Sequence, residues 1–126
     1  MGADLHITTE RRADFSGLNA KLLEFMLFDT QKVGRHYVYY WRDSYNPTNL
    51  AWCVGMDYGR AFENNPIKFL ERLARSTDKE IAQGYKQLCR RFGFKAEKRI
   101  LELLREKRNY LQRIVEAGII SVEYSI

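Results

Sequence analysis

A mostly helical α+β domain is the fold class this sequence predicts, with four to five helices and a small antiparallel sheet formed by the N- and C-terminal strands. Three observations carry that expectation. Only 2 prolines interrupt 126 residues. Apolar residues recur at helical spacing through most of the chain, whereas its two ends alternate apolar and polar positions. Pairing of those two ends would tie down both termini. A single domain over 1–126 suits this length, which is enough to bury a hydrophobic core.

The first strand is read in Asp4-Leu5-His6-Ile7-Thr8-Thr9, with Leu5 and Ile7 inward. Ser16 stands as N-cap before a broad apolar face of Leu18, Leu22, Phe25 and Met26, widened by Leu23, Leu27 and Phe28. That helix should end near Lys32, before Gly34. From His36 to Arg42 the composition favours strand, while periodicity over so few residues leaves helix equally open. Asn46-Pro47 signals a turn, and Thr48 can cap a short helix through Leu50, Ala51, Cys53 and Val54, with Gly55 and Gly59 bracketing its end. Asn65-Pro66 is a second start, placing Asn at N-cap and Pro at N1. Ile67, Leu70, Leu73 and Ala74 share the face that follows. Thr77 and Glu80 have capping-box spacing, ahead of a stripe of Ile81, Tyr85, Leu88 and Phe92 that stops at Gly93. The longest helix is expected from Lys95 to Ala117, burying Ile100, Leu103, Leu104, Leu111, Ile114 and Val115. After Gly118, Ile120, Val122, Tyr124 and Ile126 alternate as the last strand.

Hydrophobic residues at 45% and charged residues at 29% describe a soluble globular balance. No apolar run approaches the roughly 20 residues of a membrane span. Met1 to Leu5 lacks a secretory pattern, and Gly2 lacks the Ser or Thr of a myristoylation motif. These features point to the cytoplasm and no membrane partner. Cys53 and Cys89 lie in or beside apolar runs, so both are read as reduced core residues. A net charge of +5 raises the prior for a phosphate-bearing partner without specifying one.

Position gives part of that charge a meaning. Lys86, Arg90, Arg91, Lys95, Lys98 and Arg99 gather at a helix junction against one acid, Glu97. Arg90 and Arg91 suit a helix C-terminus through the macrodipole. Lys95 and Lys98 stand where a helix start prefers acids, so the junction is a competent phosphate site. A solvated basic corner is the ordinary alternative. Lys107, Arg108 and Arg113 alternate with Glu102, Glu106 and Glu116 and read as a solvated face with local ion pairs.

The segment "YYWRDSYNPTNLAW", Tyr39 to Trp52, raises the second candidate. Were it a strand, Arg42 and Asp43 would face opposite ways and need separate partners. Asp43 and Ser44 have turn and capping roles available. Tyr37, Trp41 and Trp52 read as core. Arg42 with Tyr45 and Asn46 remains, and a guanidinium among aromatic planes can stack a base and clamp a phosphate. Asn46 and Asn49 can also meet a base edge, against the commoner turn and cap duties.

No catalytic residue, cofactor motif or metal motif emerges. G-x-x-x-x-G-K, G-x-G-x-x-G, G-x-S-x-G and H-E-x-x-H are all missing, and His6, His36, Cys53 and Cys89 lack paired ligand spacing. His6-x-Thr8 resembles one half of the 2H phosphoesterase signature. That chemistry needs a second His with its own hydroxyl residue, and His36 is followed by Tyr37 and Val38.

"YWRDSYN" from Tyr40 to Asn46, followed by "LAWCVG" from Leu50 to Gly55, resembles a segment of small phage- or prophage-encoded proteins. The resemblance implies mobile-element origin, cytoplasmic action and an accessory or counter-defence role. The leading expectation is a non-catalytic protein binding a nucleotide or nucleic acid through Arg42, Tyr45, Asn46, Arg90, Arg91, Lys95, Lys98 and Arg99. A small ligand would suit a closed pocket, for instance at a homo-oligomer interface. The alternative is an interaction module of inhibitor or immunity type that binds a host protein with Tyr, Trp and Arg as hot spots. A third is a phosphodiesterase or nuclease using His6 and His36.

Overall fold

Alternation at the chain ends and in its first third builds a sheet, and the helical stripes between cover it. The computed structural model describes residues 2–19, 21, 31–43 and 48–126. Among them, β1 (Ala3–Thr9), β2 (Gln31–Val33) and β3 (His36–Asp43) precede five helices. These are α1 (Leu50–Cys53), α2 (Arg60–Asn64), α3 (Pro66–Ala74), α4 (Asp78–Phe92) and α5 (Lys98–Glu116), and β4 (Ile119–Ser125) closes the sheet. The strand order is β2-β3-β1-β4 and every neighbouring pair is antiparallel. The terminal strands do pair, but two further strands join them. β1 and β2 therefore run parallel with β3 inserted between them, a split arrangement.

His36 to Arg42 is strand, and the pleat sends Tyr39, Trp41 and Asp43 inward beside Leu5 and Ile7. The helix expected from Ser16 lies mainly outside the described residues, but its end near Lys32 is corrected. Gln31–Val33 pairs with β3 through a two-residue turn. Gly34 takes φ 62° while no non-glycine residue among those described has positive φ, which fits a type II′ hairpin with glycine first. The Ser16 backbone N–H donates to Asp14 Oδ1 at 2.9 Å.

Asn49, not Thr48, caps α1, accepting from the Trp52 N–H. Asn65 with Pro66 and the Thr77–Glu80 capping box start α3 and α4 as expected. Helix α2 was not anticipated, because Gly59 supplies no capping side chain and five residues show no period. α5 begins at Lys98 rather than Lys95, with Glu97 as N-cap residue and Lys95 in the preceding loop.

The core joins the inner sheet face to α1, α3, α4 and α5. Phe15 stacks on Tyr110 with centroids 4.6 Å apart, and Trp41 stacks on the same ring at 6.4 Å. Tyr58, Phe62 and Phe69 form a second aromatic group with centroids 5.1–5.4 Å apart. Some expected burial fails. Phe92, Ile120 and Tyr124 are exposed, and Cys89 takes the inward place on the last turn of α4. A bulge between Thr8 and Thr9 shifts the β4 register, so Ile119 packs on the core beside the expected Val122. Both cysteines are buried.

Two cations read as solvated are inside. Asp43 is fully buried, and its carboxylate accepts from the backbone N–H of Leu50 (2.6 Å) and Ala51 (3.0 Å), the Tyr58 hydroxyl (2.6 Å) and Lys107 Nζ (2.7 Å). Lys107 also donates to the Thr48 carbonyl and sits 5.4 Å from the Trp41 ring centre. Arg108 donates to the Ser76 carbonyl at 2.7 Å and pairs with Asp78, while Gln112 donates to the Ala74 carbonyl at 2.8 Å. Helix α5 thereby grips the end of α3 and the start of α4. Isolated charges are costly to bury, so these side chains are matched to partners the sequence does not place beside them.

Candidate functional site

Between the Gly55–Gly59 loop, α2 and α3 the chain leaves a cleft of about 470 Å³. Its floor is Met56 and Phe69, and Phe69 is anchored in the aromatic group with Tyr58 and Phe62. Its rim carries Arg60, Lys68, Arg72 and Arg75 against a single carboxylate, Asp57. Among the described residues, none of these four cations makes an ion pair. The carboxylate is occupied, since Asp57 Oδ1 accepts from Trp52 Nε1 at 3.1 Å.

Helix α3 supplies three of the cations. Lys68, Arg72 and Arg75 follow i, i+4, i+7 spacing and line one face, opposite the buried Leu70, Leu73 and Ala74. Like charges at i, i+4 cost about 0.2–0.5 kcal/mol, so the arrangement is mildly unfavourable without a counter-charge. Arg72 and Arg75 are favoured by the helix C-terminus; Lys68 and Arg60 open helices, where acids are preferred. The cleft wall opposite turns at Gly55, whose φ of 75° favours glycine.

The sequence did not single out this cleft. Its cations are spread over sixteen residues, Arg60 to Arg75, with Glu63 and Glu71 between. The legible signal was the i, i+4, i+7 basic face of α3, which an apolar-face reading passes over.

The expected site residues do not converge. Arg42 points away from the helical layer and lies 3.7 Å from Asp4 Oδ1, with both side chains half exposed. Asp4 also accepts from the Tyr40 hydroxyl at 2.5 Å, and burial first, then that hydrogen bond, pushes the Tyr40 phenol up to about 12. Tyr45 and Asn46 lie outside the described residues. Arg90, Lys95, Lys98 and Arg99 are exposed around the α4–α5 junction. There the Glu97 N–H donates to the Tyr85 hydroxyl at 2.9 Å. Arg91 alone reaches toward the cleft. It lies 5.3 Å from the Phe92 ring centre and lines a second hollow of about 310 Å³, which shares Gly55, Met56 and Asp57 with the first. Trp52, expected in the core, is half-buried there.

The sheet register does not bring His6 and His36 together. His6 registers with Tyr40, so four residues of β3 separate the two, roughly 13 Å of strand. His6 instead packs on Tyr40, with ring centres 5.5 Å apart. Among the described residues, no three His, Cys, Asp or Glu side chains gather as a metal site would require, and no helix is long and apolar enough to cross a membrane. No family model, curated protein or solved structure matches the chain.

Proposed function

We propose that the protein is a non-catalytic binder of a phosphate-bearing ligand, a nucleotide or nucleic acid, and that the cleft of Arg60, Lys68, Arg72 and Arg75 receives it. One observation carries the reading: four cations without carboxylate partners among the described residues face one aromatic-floored cleft. Guanidinium groups recognise phosphate oxygens by paired, charge-assisted hydrogen bonds. The cleft volume falls within the range of small-ligand sites. The resemblance of the Tyr40–Gly55 segment to phage proteins adds a cytoplasmic, counter-defence setting.

Titration with adenosine triphosphate, followed by Trp fluorescence, tests the reading. The wild-type protein should bind, and Arg72→Ala with Arg75→Ala should reduce affinity at least about tenfold with an unchanged melt. Arg42→Ala should bind as wild type. Loss of binding in Arg42→Ala alone would move the site to the outer sheet face.

A second reading, a module binding a host protein, is favoured by the exposed Phe92 and Phe94 next to Arg91. It predicts a stable complex with a host protein and no response to nucleotides.

A further inference from the structure

The cleft does not end at its cations. Gly55, Met56 and Asp57 also line the second hollow, whose other lining residues are Trp52, Leu88, Arg91 and Phe92. The two hollows differ in chemistry. The first carries four cations, and the second presents two aromatic rings and one guanidinium, with the Asp57 carboxylate lining both. Phe92 is 43% exposed, and Phe94, beyond the Gly93 turn, is 48% exposed. Trp52 is held in place by its Nε1 bond to Asp57.

We infer that the joined hollows form one groove for single-stranded nucleic acid, with the backbone phosphates along Arg60, Lys68, Arg72 and Arg75 and bases stacked at Trp52 and Phe92. This rests on the proposed phosphate-binding role of the cleft. A positive track interleaved with aromatic faces is what binding of single strands without sequence preference requires. A mononucleotide occupies one hollow and leaves the other unused. A duplex keeps its bases stacked on one another, so their faces do not reach Trp52 or Phe92. Arg91 lies against the Phe92 ring, where it can add a cationic plane to the stack.

Trp52 provides the readout, because the other tryptophan, Trp41, is fully buried. The probes are a thymidine octamer, a uridine octamer, the thymidine octamer in duplex form, and thymidine triphosphate. The single strands should quench Trp52 and bind at least about tenfold more tightly than the triphosphate. Phe92→Ala should weaken the octamers by about 5- to 100-fold, the range seen when one stacking ring is lost, and leave the triphosphate unchanged. Phe92→Tyr should restore the octamer affinity. Binding of both octamers alike is expected of a stacking groove without sequence preference. If the octamers bind no more tightly than the triphosphate, if the duplex matches them, or if Phe92→Ala binds as wild type, the groove assignment is overturned while the phosphate cleft stands. If neither octamer nor triphosphate binds, the phosphate-binding role itself falls.

Discussion

Asp43 shows how one carboxylate can set local structure. On β3 it satisfies two backbone amides at the start of α1, the Tyr58 hydroxyl and the Lys107 ammonium. Removing one member of a buried ion pair strands the other, at a cost of about 3–5 kcal/mol. Lys107→Met should therefore lower unfolding free energy by that amount in urea titration. Its effect should be strongly non-additive with Asp43→Asn. Arg42, one residue earlier, has the opposite status. Its half-exposed pair with Asp4 contributes at most about 1 kcal/mol, so Arg42→Ala should barely shift the same curve. Sequence patterning announced that the two would face opposite ways. It did not announce Lys107, because the i, i+4 charge pattern of α5 looks the same whether a face meets water or a buried acid.

Cys53 carries a pH prediction. Burial first, and the nearby Asp43 charge second, push its thiol from 9.0 up to about 12. The thiolate is the reactive form, so native protein should resist alkylation at mildly alkaline pH, and urea should release the reaction. Because the folded value is raised, the protonated thiol favours folding fully below 9.0, and that contribution declines as pH climbs toward 12. Asp78 works in the other direction. The hydrogen bond from Arg108 holds its carboxyl below the usual range, so its contribution is present above about pH 4 and lost on acidification. Alkaline and acid melts should each lose stability at those ends.

Among the elements, the caps were the most readable features and the hairpin the least. Asn65-Pro66 and Thr77–Glu80 each place a specific acceptor at a specific amide, which is local chemistry. The β2–β3 turn was equally local, in Gly34-Arg35, but the apolar run before it argued for helix and three residues of strand are too few to oppose it. The cleft was hidden for another reason: it needs α3 set against α2 and the Gly55–Gly59 loop, a matter of tertiary packing. The neighbouring contact of α4 with α1 depends on one glycine. A Cβ on Gly84 of α4 would lie 1.5 Å from the Cys53 carbonyl oxygen, and backbone cannot yield as a side chain can. Gly84→Ala should force α4 away from α1 and cost at least about 3 kcal/mol in thermal or urea unfolding. It should also loosen the second hollow, which Trp52 and Leu88 line from those two helices.

At the scale of the whole molecule, the sheet unites the chain's ends and α5 unites the rest. β1 is central and pairs with β3 and β4. Deleting residues 119–126 would leave one edge of β1 unpaired and strip Ile119 and Val122 from the core. The shortened chain should lose its cooperative melt. The charge of the intact molecule is also unevenly used. Lys107 and Arg108 are committed inside, whereas Arg60, Lys68, Arg72 and Arg75 at the cleft make no ion pair among the described residues. If phosphates neutralise those four, octamer affinity should fall steeply between about 50 and 200 mM salt, with a logarithmic slope near −3.

Asp4 and Ser125 are register partners, so positions almost a full chain apart in sequence stand side by side in space. The order in which the polypeptide is threaded is therefore separable from the shape it reaches. A short linker joining the two ends, with new ends opened in the exposed Gly34-Arg35 turn, would yield a circular permutant with the same strand neighbours. Since neither junction touches the groove, such a rearranged chain should keep its ligand affinity, and any difference in folding rate would report the changed sequence separation alone.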